Sequence, residues 1–332
     1  APMARSDPDT ASRRRFRETM HFGHPDRVPY FEEGIRTSVR RCWRKQGMPR
    51  GFNLQQRFPS DPRIEIEPEL DPRPARWPTC RADLKAFRRA LDPSDPKRLP
   101  RNWSRRVRSL QKEDCVRMLR VHRGLFLSMG VQAWDRFYEL MTLLAYEPEV
   151  VRAAMQIQGE FAAAVAERVL AEVDIDAAIF SEPIGGNHGP LISPAMYAEV
   201  VLKSYAPLMQ VLQRCGVDVI IFRTYANARI LIPEVLAHGF NCLWACEVNI
   251  EAMDYRSLRA EFGRDLRLIG GIDLDALRFG KESIDREIKE KVPPLLQQGG
   301  YVPLADGRVR EDVSFENYLY YRQLLQEITR PG

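Results

Sequence analysis

From about residue 175 to the C-terminus the chain repeats one pattern, a short apolar run that stops on a polar or acidic residue. The runs fall at 177–182 (AAIFSE), 218–224 (DVIIFRT), 242–247 (CLWACE), 266–273 (LRLIGGID) and 301–306 (YVPLAD). Apolar residues at helical spacing fill the gaps, at 194–215, 228–238, 255–262 and 281–298, and a last helix at 315–328 closes the chain. Strands that read as continuous apolar runs, alternating with helices, are the mark of βα units around a parallel sheet. Cys215-Gly216 and His238-Gly239 sit where glycine C-caps would end a helix just before the next strand. Toward the N-terminus the pattern predicts helices at 12–22, 37–46, 82–90, 102–112, 134–145 and 150–172, and strands at 28–32 and 115–122. Residues 47–100 are rich in proline and charge, and read as an irregular insertion holding a short antiparallel excursion at 63–70. The whole predicts an α/β chain: a single (β/α)₈ TIM barrel over 13–332 with an elaborated N-terminal region, after a disordered lead-in at 1–12. In such a barrel the carboxyl ends of the strands carry the active site, so the polar residue ending each run faces a substrate.

Composition narrows the class. A chain of 332 residues, 44% hydrophobic and 29% charged, is ordinary for a globular protein. No apolar stretch approaches the ~20 residues that span a bilayer, and the arginines at 5 and 13–15 are followed by no apolar signal core. These features predict no membrane partner. Six cysteines without a CxxC pair point to a reducing cytoplasm rather than a disulfide framework. The net charge of +5 is modest, and much of the excess crowds around Trp103 between residues 97 and 123. Without a recognition motif, that stretch reads as a basic helix face followed by a strand with alternating arginines, and no nucleic-acid partner is expected.

The strand ends supply the candidate chemistry. Glu182 ends an apolar strand before a glycine-rich loop, where it would act as a general acid/base or metal ligand, or else bond loop amides structurally. Glu247 is the same case two strands on. His188, in the turn before Gly189, is an acid/base candidate against a plain surface-loop role. Asp306 stands in the last loop, near the anion-binding position of barrels. Arg223 and Tyr225 would hold an oxygen of the substrate, unless Arg223 forms a salt bridge with Glu247 or Glu182. Asp273 follows Gly270-Gly271, where backbone can approach a ligand, and would bind substrate or cap the loop. Cys246 with Glu182 and Asp306 would make a mixed zinc site on barrel geometry alone, against a buried apolar cysteine. Arg36, with Arg40 and Arg41, would meet an anionic ligand or form a solvated helix face. Trp134, with Phe126 and Met129, would line an apolar pocket or pack a core.

Residues 15–29 (RFRETMHFGHPDRVP), 189–194 (GPLISP), 270–273 (GGID), 299–301 and 311–317 (EDVSFEN) together resemble the uroporphyrinogen decarboxylase superfamily, which includes corrinoid-dependent methyltransferases. The resemblance runs from about Arg15 to the end and implies a (β/α)₈ barrel. Decarboxylases of the family resemble one another in an arginine-rich element after the first strand that holds substrate carboxylates. The comparable stretch here is Glu32-Glu33-Gly34-Ile35-Arg36, and Gly307 stands where they carry a histidine. Thiol-methylating relatives resemble each other in a His-x-Cys zinc element, and the matching position reads Arg223-Thr224-Tyr225. The resemblance therefore implies a demethylating methyltransferase that moves a methyl group from a small O- or N-methyl donor to the cobalt of a corrinoid (cobalamin) on a partner protein, with zinc and a homodimer left open. The alternatives are decarboxylation of a tetrapyrrole-like acid and a non-catalytic barrel that binds a tetrapyrrole or corrinoid.

Overall fold

A computed structural model describes residues 11–246 and 252–330. The described residues divide into two compact units, residues 64–241 and residues 11–63 with 242–246 and 252–330. Seven strands run through the described residues: β1 (Arg63–Ile66), β2 (Val116–His122), β3 (Ala177–Glu182), β4 (Ile220–Tyr225), β5 (Cys242–Cys246), β6 (Arg267–Ile272) and β7 (Tyr301–Ala305). Within each unit they lie side by side in chain order, and the pairs β2–β3, β3–β4, β5–β6 and β6–β7 are parallel. The chain is thus α/β with strands and helices alternating, but the described residues hold seven strands where a closed (β/α)₈ barrel has eight.

The missing strand is the one expected at 28–32, which has no regular structure. Pro29 removes a donor from any ladder there, and Tyr30 spends both backbone groups on Asp61. Its N–H donates to the Asp61 carboxylate at 2.8 Å and its carbonyl accepts the Asp61 N–H at 2.9 Å. A segment whose backbone groups are taken by a turn residue has nothing left for a neighbouring strand. The insertion at 47–100 is correspondingly less irregular than its prolines suggest. Its residues 64–66 belong to β1, which lies beside β2 as a member of the sheet rather than as a separate excursion.

In the first unit β2, β3 and β4 are buried along almost their whole lengths. The helix Pro148–Leu170 packs on β2 and on the helix Ala206–Arg214. Each fully covered Ile or Phe of these strands contributes roughly 2 kcal/mol of hydrophobic stabilisation. The helix expected at 194–215 is broken into Pro194–Val200, a 3₁₀ turn Leu202–Tyr205 and Ala206–Arg214. Pro207 has no N–H to continue a ladder and instead starts the last piece. Ser193 caps the first piece by accepting the Met196 N–H at 3.2 Å. Gly216 and Gly239 take φ of 75° and 93°, as C-cap glycines must.

Gly159, mid-helix in Pro148–Leu170, costs helix propensity, and the break at residue 204 explains its presence. A Cβ there would lie 1.9 Å from the Ser204 carbonyl oxygen. Gly159→Val should therefore destabilise the fold by about 3 kcal/mol through overpacking against rigid backbone, seen as a lower urea midpoint at unchanged slope.

Candidate active site

β3 and β4 run in register so that Glu182 lies opposite Thr224. An apolar strand ending in a carboxylic acid buries that acid, and Glu182 is 0% exposed. Its carboxyl accepts the Leu125 N–H at 3.0 and 3.3 Å, and both Tyr197 and Tyr205 donate to Oε2 at 3.1 Å. Leu125 reaches it because Gly124, at φ 75°, turns the chain directly over the carboxyl. A Cβ on Gly124 would meet Glu182 Oε1 at 2.5 Å. Burial raises the Glu182 carboxyl to about 7, against the opposing pull of these three donors. A carboxyl raised in this way keeps its proton well above the usual carboxylate range, the condition a general acid needs.

One strand over, His122 ends β2 and is also buried, 1% exposed. Its Nδ1 accepts the Gly124 N–H at 3.0 Å, and its ring stacks with Phe180 and tilts against Tyr205. Burial, and then the charge of Arg123, lower its pKa to about 3, so the ring is neutral. His122 is not among the strand-end candidates named above, although its place at the end of a strand is the signal that singles out Glu182.

Beside these two ends opens a cavity of about 620 Å³, reached by His122, Arg123 and Ser181. Arg73, Lys97, Arg101, Arg120 and Arg123 line it, against the acids Glu67, Glu69 and Asp71. Arg120 pairs with Glu65 and Glu67, Arg123 with Asp71, and Arg73 more loosely with Glu69. Lys97 and Arg101 have no ion pair among the described residues. Arg98, 1% exposed, braces this wall by donating to the carbonyls of Asp92, Glu69, Asp71 and Ala90. The basic stretch 97–123, read from sequence as a solvated face and an alternating strand, thus places four of its cations around one cavity.

The other expected residues of this unit have different fates. Arg223, 6% exposed, forms a bidentate salt bridge with Glu65 at 2.6 and 3.0 Å, a partner the sequence reading did not consider. Tyr225 is 39% exposed at the end of β4. His188 is an exposed loop residue in the turn closed by Gly186 N–H to the Gly189 carbonyl at 2.8 Å. Trp134 is 74% exposed, while Phe126 and Met129 are core residues.

The remaining candidates lie in the second unit. Asp306 is buried, its Oδ1 accepting the Gly271 N–H at 2.9 Å and its Oδ2 without a hydrogen-bond partner. Burial holds this carboxyl well above the usual carboxylate range. Gly270 and Gly271 leave room for this packing: Cβ atoms on them would meet Asp306 Oδ1 at 2.6 Å and the Tyr255 ring at 2.4 Å. Asp273 caps the following turn by accepting the Asp275 N–H at 2.9 Å. Arg36 is exposed at the start of the helix Thr37–Lys45. Cys246 ends β5 half-buried and outside any disulfide, and Glu247 lies outside the described residues. Glu32 and Glu33, read as standing where decarboxylases carry positive charge, are committed internally. Glu32 pairs with Arg322 and accepts from Tyr318 at 2.9 and 2.8 Å, and Glu33 pairs with Arg63 at 2.9 Å.

Among the described residues no group of three or more His, Cys, Asp or Glu side chains is arranged to share a metal ion. The ligands found around Glu182 are two tyrosines and an amide, which suit a carboxyl group and not a cation.

The family profile of uroporphyrinogen decarboxylase (URO-D) matches residues 128–304, more than half of the chain. The chain belongs to the uroporphyrinogen decarboxylase family. The match takes in Glu182 and strands β3 to β6, whereas the charged wall of the cavity comes from residues 67–123, ahead of the matched stretch. No curated protein matches the sequence. No described helix is long and apolar enough to cross a membrane.

Proposed function

We propose that this family member is a methyltransferase that takes a methyl group from a small O- or N-methyl donor and passes it to the cobalt of a corrinoid carried by a partner protein. The observation that supports the reading best is Glu182: a carboxyl that still carries a proton near neutrality, at the carboxyl end of a strand whose Ser181 lines an open cavity. When a methyl group leaves oxygen or nitrogen, the atom left behind takes up a proton, and Glu182 is the group here tuned to supply it. Leu125 and the two tyrosines close over the carboxyl, so the short helix Gly124–Ser128 must shift when a donor binds. The reduced corrinoid supplies the electron pair of the new bond to carbon. The cations of the cavity would hold a donor that is itself an anion.

A second reading, decarboxylation of a tetrapyrrole-like acid, is favoured by one observation. The family's arginine element after the first strand is absent, yet arginines from elsewhere in the chain line the cavity. The experiment that separates the readings offers the purified protein cob(I)alamin with methoxylated and N-methylated acids, following the corrinoid spectrum, and in parallel a porphyrinogen, following carbon dioxide. Methyl transfer is expected with at least one anionic donor. Carbon dioxide release without any corrinoid change would replace the first reading with the second, and neither signal would leave a binding barrel without turnover.

A further inference from the structure

Between residues 34 and 60 the chain carries seven arginines and lysines and no aspartate or glutamate. None of the seven forms an ion pair among the described residues. Arg40 and Arg44 stand one turn apart on the helix Thr37–Lys45, a like-charge spacing that costs helix stability unless an anion relieves it. Both are exposed, and both line a cavity of about 400 Å³ in the second unit. Met48, Pro49 and Phe52 form its apolar side. Asn53 completes the polar side: its Oδ1 accepts the Gln55 N–H at 3.0 Å, so its amide hydrogens are the part left to offer. The cavity thus presents donors and positive charge, with no acid among its lining residues. Its floor is fixed by packing. Trp43 is fully buried and donates to the Val313 carbonyl at 2.8 Å, and the Gln46 side chain accepts the Phe315 N–H at 2.8 Å. The Phe52 ring meets Phe315 edge-on, with centroids 5.2 Å apart. Glu311 accepts from Cys42 Sγ of the same helix at 3.9 Å and does not line the cavity.

We propose that this cavity is a binding site for an organic phosphate monoester, its phosphate held by Arg40 and Arg44 and its organic part laid against Phe52 and Met48. Two guanidinium groups without a carboxylate partner match the charge of about −2 that a phosphate monoester carries near neutral pH. The planar fork of each arginine meets phosphate oxygens two at a time, and the Asn53 amide adds a neutral donor beside them. The apolar side gives an organic group surface to bury, which a bare ion cannot use. The volume is that of a small-molecule site, and it separates this ligand from a polyanion spread over the whole basic segment. The other five cations of residues 34–60 raise the local positive potential and draw the anion in. Residues 40–53 precede the stretch matched by the family profile. The inference goes beyond the proposed function, since the site shares no residue with the Glu182 carboxyl or the cavity beside it.

The test titrates the full chain with phenyl phosphate by calorimetry, with inorganic phosphate, benzoate and a single-stranded ribo-oligonucleotide alongside. Phenyl phosphate should bind, with inorganic phosphate and benzoate each at least about tenfold weaker, and added salt should weaken all three. Arg40→Gln and Arg44→Gln should each weaken phenyl phosphate about tenfold. Arg44→Lys keeps the charge but not the planar fork, and should recover only part of that loss. Phe52→Ala should bring phenyl phosphate down to the level of inorganic phosphate. Both arginines are exposed, so the glutamine variants should unfold at the native urea midpoint, while phenyl phosphate raises the Tm of the native chain more than theirs. Failure of phenyl phosphate to bind, inorganic phosphate or benzoate bound as tightly, tighter binding of the oligonucleotide, or undiminished binding by a folded variant carrying both Arg40→Gln and Arg44→Gln would each overturn the proposal. Methyl transfer in the corrinoid assay would be unaffected by any of these outcomes.

Discussion

Glu182→Gln should lower turnover by about 10²–10³-fold, the contribution of a positioned general acid, with substrate binding little changed. The same substitution has a second signature that needs no substrate. The Glu182 carboxyl sits at about 7 in the folded chain and at its ordinary value of 4.5 when released. Between those two values the folded chain binds the proton more tightly than the unfolded one. Its stabilisation is therefore complete below about pH 4.5 and is lost as pH rises through about 7. The shift corresponds to roughly 3 kcal/mol. Glutamine does not titrate, so the stability of the variant relative to the native chain should improve by about that amount between pH 4.5 and pH 8. Parallel pH curves for the two proteins would show that Glu182 ionises normally and would remove its claim to the acid role.

His122 works in the opposite sense. A depressed histidine stabilises the fold above its unfolded value, and that stability is lost as pH falls below about 6.5 toward 3. Stability curves of the single Glu182 variant separate the two slopes.

Glu65→Ala should be the most damaging of the charge deletions, by about 3 kcal/mol. Glu65 holds two cations at once, Arg223 through both carboxylate oxygens and Arg120 at 2.5 Å, and Arg223 is almost fully buried. Deleting the acid strips both of the carboxylate they share and leaves positive charge in a poorly hydrated place. The midpoint of urea unfolding should fall at unchanged slope. The double replacement of Glu65 and Arg223 by methionine should recover much of the loss, because a buried ion pair costs desolvation that an apolar pair does not. A Glu65→Ala protein as stable as the native chain would mean that the pair contributes nothing to the fold.

The strand rhythm was legible because parallel strands covered on both faces must be apolar throughout, so their boundaries show as runs. Residues 177–182 were read to the residue as β3, and 115–122 and 301–306 to within one. The same logic pointed to Glu182, since a polar residue ending such a run has nowhere to go but the strand's carboxyl end. It failed at 28–32, where an aromatic, β-prone segment gives its backbone bonds to Asp61. Local propensity carries no record of which distant side chain will take a segment's hydrogen bonds. Nor could it choose between the two roles left open for Asp273: an acid after two glycines looks alike whether it meets a ligand or a backbone cap.

By itself, then, the sequence determined the alternation of strands and helices, the carboxyl ends where chemistry gathers and, through scattered motifs, the family. Only the tertiary structure decided that Arg223 pairs with Glu65, 158 positions away, and that cations from residues 73 to 123 surround one cavity. The reason is physical. Apolar periodicity is set by neighbours three or four residues apart, whereas charge pairing and cavity walls depend on strand register and the path of the connecting chain, which fix distances that no spacing in the sequence expresses.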